Sequence, residues 1–236
     1  FHQEKVELLP AGLEVSTYVQ VDDTGARHQG HNGFCTHIGN ESFAYFESTD
    51  SKSRQNFLEV LRGADTDYTI NDFAVAYWQR QKWSQAVIER WTAGAQRWAD
   101  KAAWQAYLSE QRVTDPRHIR IATEGALLGS LIAHGVSPEL TVLSDGAGQF
   151  DVLVHALCWL HVERPLARLV PHNEKHRQAI EQIRQGIWDL YKGLKAYRQA
   201  PSPAAREALG KQFDDLVAQR TDYPSIDGVL KGMAAD

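Results

Sequence analysis

The stretch Thr17-Tyr-Val-Gln-Val-Asp22 sets the fold of the chain. Its β-branched and aromatic residues alternate with polar ones at a period of two, which predicts a strand with one buried face. Phe34-Cys-Thr-His-Ile38 and Ser42-Phe-Ala-Tyr-Phe46 have a similar composition, and the tight loop Gly39-Asn-Glu41 joins them. Residues 17–47 are therefore predicted to form a three-stranded meander.

A second group of strands lies further along the chain. Leu140-Thr-Val-Leu-Ser-Asp145 is a short apolar run that ends at Gly146-Ala-Gly148, which indicates a buried strand entering a turn. Residues 154–160 are predicted to form the next such strand. Antiparallel hairpins followed by parallel crossovers predict an α/β fold, with a mixed sheet and helices on its faces.

Helical patterns fill the remaining chain. Residues 53–62 have a serine cap and apolar residues at helical spacing, and residues 65–135 are predicted to be a mostly helical insert. After residue 172, two apolar stripes at spacings of three and four predict a helical hairpin. The expected domains are thus a core at 1–172, containing the insert, and a helical hairpin insertion at 173–236.

Composition excludes several classes of protein. The chain has 236 residues, of which 43% are hydrophobic and 23% charged, as in ordinary globular proteins. No stretch approaches the roughly 20 apolar residues of a membrane span, so no membrane partner is expected. Two cysteines cannot form a disulfide scaffold, which favours the cytoplasm, and a net charge of −5 disfavours strong non-specific nucleic-acid binding. The start at Phe1 and the single methionine, Met233, lead us to expect a fragment of a longer protein.

Asp22 and Asp145 form the candidate site. Each is predicted to be the last residue of an apolar strand before a turn, and sites in open α/β sheets form beyond the carboxyl ends of strands. Two neighbouring carboxylates suit Mg²⁺ or Mn²⁺, and two such ions roughly 3.5–4 Å apart can promote phosphoryl transfer. The alternative is that each aspartate only begins a turn. Asp23 is an alternative to Asp22.

Five motifs together resemble bacterial transposases of the insertion-sequence-66 type. Their order and spacing carry the resemblance, which runs from about Thr17 to the end of the chain. The motifs are Val21-Asp-Asp-Thr-Gly25, Asn32-Gly-Phe-Cys-Thr-His-Ile-Gly39, Ser51-Lys-Ser-Arg-Gln-Asn-Phe-Leu58, Leu143-Ser-Asp-Gly-Ala-Gly148 and Cys158-Trp-Leu-His161.

This resemblance implies a ribonuclease-H-like catalytic core with a DDE acidic triad. Asp22 would be the first acid and Asp145 the second, both binding Mg²⁺ or Mn²⁺. His161 would contact the scissile DNA or orient an acid. The implied activity is hydrolysis at transposon 3′ ends followed by strand transfer. The implied partners are transposon and target DNA and further copies of the chain, in the bacterial cytoplasm at the nucleoid.

The third acid of the family, a glutamate, has no matching motif here. Glu163 follows the Cys158-x-x-His161 pair too closely, and Glu174 and Glu181 are expected on a solvated helix face. An incomplete triad is therefore expected.

Three other interpretations stay open. The chain could be an inactive assembly module that dimerises through the helical hairpin. It could also be a ribonuclease-H-like nuclease that does not transpose. A zinc site could join Cys35 and His37 with Cys158 and His161. The strands that carry these two pairs of residues are, however, not neighbours in a ribonuclease-H sheet.

Overall fold

The structure is a computed structural model that describes residues 2–28 and 30–235. It consists of two compact units, the first running to Ala156 and the second beginning at Leu157. Each unit has its own hydrophobic core. Within the described ranges, no helix combines the length and the apolar character that crossing a bilayer requires.

The first unit is built on a mixed sheet. The described strands are β1 (Tyr18–His28), β2 (His31–Gly39), β3 (Ala44–Thr49), β4 (Tyr68–Thr69), β5 (Arg97–Trp98), β6 (Thr141–Ser144) and β7 (Val154–Leu157). Five of them form one sheet in the order β3-β2-β1-β6-β7, and β4 and β5 form a separate small hairpin. β1 pairs antiparallel with β2, β2 pairs antiparallel with β3, and β1 pairs parallel with β6. The predicted meander and the α/β class with a mixed sheet are confirmed.

Helices flank this sheet and form the second unit. The described helices are α1 (His2–Val15), α2 (Arg54–Arg62), α3 (Asp72–Arg80), α4 (Gln85–Thr92), α5 (Lys101–Glu110), α6 (Pro116–Ala133), α7 (Trp159–Ala167), α8 (Glu174–Gln199), α9 (Pro203–Val217) and α10 (Pro224–Ala235). A 3₁₀ turn spans Gly148–Phe150. The sequence patterns did not indicate α1, whose Leu9 and Leu13 are buried in the core.

One face of the sheet is closed by helices. The side chains of Val19, Val21, Ile38 and Val142 are at most 4% exposed, and they belong to the same core as Leu58 of α2 and Leu127 of α6. Strand residues alternate between the two faces, so the side chains between these valines point to the other face. Helices of the first unit therefore cover this set of alternating residues, which we call the closed face.

α6 is the central helix of this layer, with residues 121–131 buried. It forms the last part of the helical insert predicted at 65–135. Asp115 accepts the backbone N–H groups of Arg117 and His118 at 2.8 and 3.1 Å, and Pro116 occupies the first helical turn. An aspartate cap followed by proline favours the start of a helix. The helix therefore begins at Pro116, before its buried apolar residues.

The insert between α2 and α6 has an aromatic core. Trp78, Trp91 and Trp104 are at most 1% exposed, and their rings pack edge to face. Tyr68 stacks on Trp104 with ring centroids 5.5 Å apart. The tryptophans thus stabilise the fold by packing, as expected from their helical setting.

The second unit is helical. The predicted hairpin is confirmed as α8 and α9, and α7 and α10 complete its core. The expected boundary at residue 172 is displaced to 156/157 because Leu166 of α7 is fully buried in this second core. Leu190 of α8 is 2% exposed, whereas Leu194, one turn further along the helix, is 38% exposed.

Candidate active site

Asp22 lies within β1, in the middle of the sheet. Its neighbours Val19 and Val21 are buried in the closed face, and Asp22 itself is exposed. The prediction that Asp22 ends its strand is wrong. β1 continues to His28, because residues 22–28 remain paired with β2 beyond the aspartate.

Asp145 directly follows β6, as the sequence predicted. Its Oδ1 accepts the backbone N–H of Ala147 at 2.9 Å, and Ser144 Oγ accepts the N–H of Gly146 at 3.2 Å. Gly146 has φ +82°, a conformation that glycine adopts without strain. This turn gives the Asp145 carboxylate a defined orientation and leaves Oδ2 outside that hydrogen bond.

The pairing register of β1 and β6 predicts that the two aspartates lie opposite each other. β1 and β6 pair in parallel, with Val19 opposite Val142 and Gln20 opposite Leu143. Continuing this register by two residues sets Asp22 opposite Asp145, on the face that Gln20 and Leu143 share. Neighbouring strands are about 4.8 Å apart, so one cation could contact both carboxylates.

These oxygens suit a hard divalent cation such as Mg²⁺ or Mn²⁺. Among the residues that the structure describes, no group of three or more His, Cys, Asp or Glu side chains is arranged to hold a metal ion. The two aspartates would therefore provide only part of a coordination shell, and other oxygen ligands would have to complete it.

Asp23, the alternative to Asp22, points to the opposite face. Its Oδ1 accepts the hydroxyl of Thr36 at 2.6 Å, and its Oδ2 accepts the amide of Gln149 at 3.1 Å. Lys52 donates to the Asp23 carbonyl at 3.1 Å. Asp23 thus connects β1 to β2 and to the turn after Asp145, and Asp22 projects from the face that carries Gln20.

His37 is a neighbour of Asp22 that sequence reasoning considered only as a zinc ligand. It pairs directly with Asp22 across β1 and β2, so both side chains project from the same face. Its ring packs on Phe46 with centroids 4.9 Å apart. His37 lies beside Asp22 because of the register of the β1–β2 hairpin. Gly30, which lies between these two strands, was the only residue in the sequence that could have indicated this register.

His161 and Glu163 belong to the second unit. The strand predicted at 154–160 ends at Leu157, because α7 begins at Trp159, so His161 lies in the first turn of a helix. His161 Nδ1 is buried, with no hydrogen-bond partner among the described residues. Glu163 is 9% exposed and accepts hydrogen bonds from Arg184, with Oε1 2.6 Å from Nε, so its carboxylate is already paired.

The cysteines do not mark a zinc site within the described ranges. Cys35 lies on β2 and Cys158 caps α7, and both are free thiols. β2 and β7 are separated by β1 and β6 in the sheet. The candidate site thus consists of Asp22, Asp145 and His37, all in the first unit.

Comparison with known proteins gives one clear family relationship. The chain is 36% identical over 226 residues to the uncharacterized protein y4jO of Sinorhizobium fredii (strain NBRC 101917 / NGR234). The alignment covers 94% of this chain and 70% of that protein. The chain belongs to the y4jO family.

No protein-family model matches the chain, and no solved structure matches it. The relationship to y4jO extends over nearly the whole chain but comes with no described activity. An activity has to be inferred from the site itself.

Proposed function

We propose that the y4jO-family chain is the catalytic core of a DNA transposase of the insertion-sequence-66 type, with a ribonuclease-H-like fold. The observation that supports the proposal is the parallel pairing of β1 and β6, because their register, continued by two residues, would set Asp22 opposite Asp145. The strand order, an antiparallel meander continued by a strand parallel to β1, supports the same fold.

Asp22 and Asp145 would hold Mg²⁺ or Mn²⁺ against the phosphate to be cleaved. When bound, such cations stabilise charge on the attacking and leaving oxygens of an in-line phosphoryl transfer. The turn at Gly146 fixes the Asp145 carboxylate through the Ala147 N–H. A pre-oriented carboxylate loses little conformational entropy on binding a ligand.

The face of the sheet that carries Gln20 and Asp22 would give DNA access to the two aspartates. Gln20, Asp22, Phe46 and Asp145 are all exposed, so a polynucleotide backbone could reach the carboxylates. His37, beside Asp22, would donate a hydrogen bond to a phosphate oxygen. The reaction would be hydrolysis of the transposon 3′ ends, followed by attack of the freed hydroxyl on target DNA.

The test is an end-cleavage and strand-transfer assay. The protein expressed from its complete reading frame is incubated with Mg²⁺ or Mn²⁺ and DNA that carries the terminal sequences flanking that frame. We expect 3′-end cleavage and joining to a target plasmid. Asp22→Asn and Asp145→Asn should abolish both steps, whereas Asp50→Asn, which changes an exposed aspartate just after β3, should retain both.

The other outcomes distinguish the alternative functions. Metal-dependent cleavage without joining would identify a nuclease that does not transpose. Neither cleavage nor joining, with a folded protein, would favour an assembly module and reject the proposed chemistry.

A further inference from the structure

Arg54, the first residue of α2, reaches the turn that follows β6. Its guanidinium donates hydrogen bonds to the carbonyl of Gly148 and, at 3.1 Å, to the hydroxyl of Tyr77. It also lies 3.6 Å from a carboxylate oxygen of Asp151. One side chain therefore contacts the 3₁₀ turn near its start and just after its end.

A buried carboxylate holds this guanidinium in place. Glu124 of α6 is 3% exposed, lies 3.8 Å from Arg54 and accepts the hydroxyl of Tyr77. Burial, followed by the hydrogen bond to Glu124, raises the pKa of Tyr77, so the phenol remains a donor at neutral pH. Breaking such a pair by removing one partner leaves an uncompensated buried charge.

The geometry requires arginine at this position. The planar guanidinium can direct separate N–H groups at the Gly148 carbonyl, the Tyr77 hydroxyl and the carboxylates, whereas a lysine offers a single point charge on a flexible stem. Arg80 supports the outer carboxylate, with Nη1 3.7 Å from Asp151. The segment 146–151 is thereby fixed by an ionic cluster beneath it.

We propose that Arg54 is a positioning residue for Asp145. The same segment supplies the Ala147 N–H that holds Asp145 Oδ1 and the Gln149 amide that holds Asp23. Fixing Gly148 therefore fixes both hydrogen bonds, and with them the direction of the Asp145 carboxylate. This inference rests on the proposed function, because it assigns Arg54 to the metal-binding geometry of that site.

The experiment compares Arg54→Gln with Arg62→Gln in the full chain. Arg62 is a matched control at the other end of α2: it also donates to a backbone carbonyl, that of Asp67, and its Nε is likewise buried without a partner among the described residues. Two quantities are measured: Mn²⁺ affinity by calorimetry, and hydrogen exchange of the Gly146, Ala147 and Phe150 amides.

We expect Arg54→Gln to weaken Mn²⁺ binding by about 10–100-fold, the usual cost of losing a residue that orients a metal ligand. The three amides should exchange faster. Arg62→Gln should change neither quantity, and Arg54→Lys, which keeps the charge, should lie between wild type and Arg54→Gln. If Arg54→Gln fails to fold, Tyr77→Phe replaces it, because that variant removes the hydroxyl between Arg54 and Glu124.

The outcomes separate this inference from the proposed function. Unchanged exchange of the Ala147 amide in a folded Arg54→Gln protein overturns the positioning role, whatever the metal affinity. The positioning role is also overturned if Arg54→Gln binds Mn²⁺ as tightly as wild type while Asp145→Asn no longer binds it. If wild type binds no Mn²⁺, the metal site of the proposed function fails. Faster exchange in Arg54→Gln then supports only the part of the inference that concerns the turn.

Discussion

The two faces of the central sheet differ in exposure, although the same strands form both. On the closed face, Val19, Val21 and Ile38 are nearly inaccessible and pack under the helices. On the other face, which we call the open face, Gln20, Asp22 and Phe46 are exposed. A strand places successive residues on opposite faces, so a single residue step separates a core position from a site position.

This difference explains how a site can be built at small cost to stability. The closed face supplies apolar burial, about 25 cal/mol per Å² removed from water. The open face carries Asp22, and the proposed cation would neutralise the carboxylates that bind it. Substitutions on the two faces should consequently affect different measurements, and this separation can be tested.

The largest expected effect is the loss of metal binding on the open face. Asp22→Asn and Asp145→Asn should each abolish measurable Mn²⁺ binding in calorimetry, because each removes an anionic ligand. Asparagine at 145 keeps an oxygen for the Ala147 N–H, so the free energy of unfolding should stay within about 0.5 kcal/mol of wild type. An Asp145→Asn titration identical to that of wild type would remove Asp145 from the site.

The next effect belongs to the closed face. Ile38 is fully buried, and Ile38→Ala should lower the free energy of unfolding by about 2–5 kcal/mol because it leaves a cavity. Mn²⁺ affinity per folded molecule should not change. Denaturant unfolding followed by tryptophan fluorescence measures the first quantity and calorimetry the second. A loss of affinity with unchanged stability would contradict the division between the faces.

Asp67 is a buried carboxylate of the first unit. The effect of its hydrogen bonds on stability can be tested by measuring unfolding as a function of pH. Burial raises the pKa of Asp67, but hydrogen bonds from His134, Thr69 and Ser130 outweigh burial and leave the pKa below its usual value. The stability that Asp67 contributes is therefore complete above about pH 4 and is lost as pH falls through its lowered pKa.

Asp67→Asn should cost about 1–3 kcal/mol at neutral pH and make acid unfolding less steep. The control is Asp65→Asn, since Asp65 contacts the other ring nitrogen of His134 at 3.2 Å and its side chain is 42% exposed. We expect that control to cost less. Equal pH dependence in wild type and Asp67→Asn would show that Asp67 is not the group that titrates.

Sequence patterns predicted the elements whose signals are local. The apolar run before Asp145 and the glycine turn after it predicted β6, which ends one residue before Asp145. The serine cap at Ser53 predicted α2, and its Oγ does accept the Asn56 N–H at 3.2 Å. In these cases the residues that determine the element lie within it.

The features that were missed depend on distant pairing. β1 runs through Thr24 and Gly25, which resemble a turn, because β2 pairs with them. The placement of His37 beside Asp22 depends on the same register. Arg54 and Gly148 are 94 residues apart in sequence, so no local pattern connects them. α1 contains Pro10 and has little amphipathic pattern, and its burial against the core decides its structure.

The smallest expected effect concerns Phe46, the aromatic residue of the open face. Its side chain is 56% exposed, although its ring packs on His37. Phe46→Thr keeps a residue that favours strands and removes apolar surface that water already reaches, so the free energy of unfolding should change by no more than about 0.5 kcal/mol. Ile38, one strand away on the closed face, provides the contrast in the same denaturant titration. If Phe46→Thr cost more than about 2 kcal/mol, Phe46 would have to be covered in solution, since only a buried aromatic side chain loses that much. The open face would then be an internal surface, and the access to Asp22 on which the proposed chemistry depends would have to come from a conformational change.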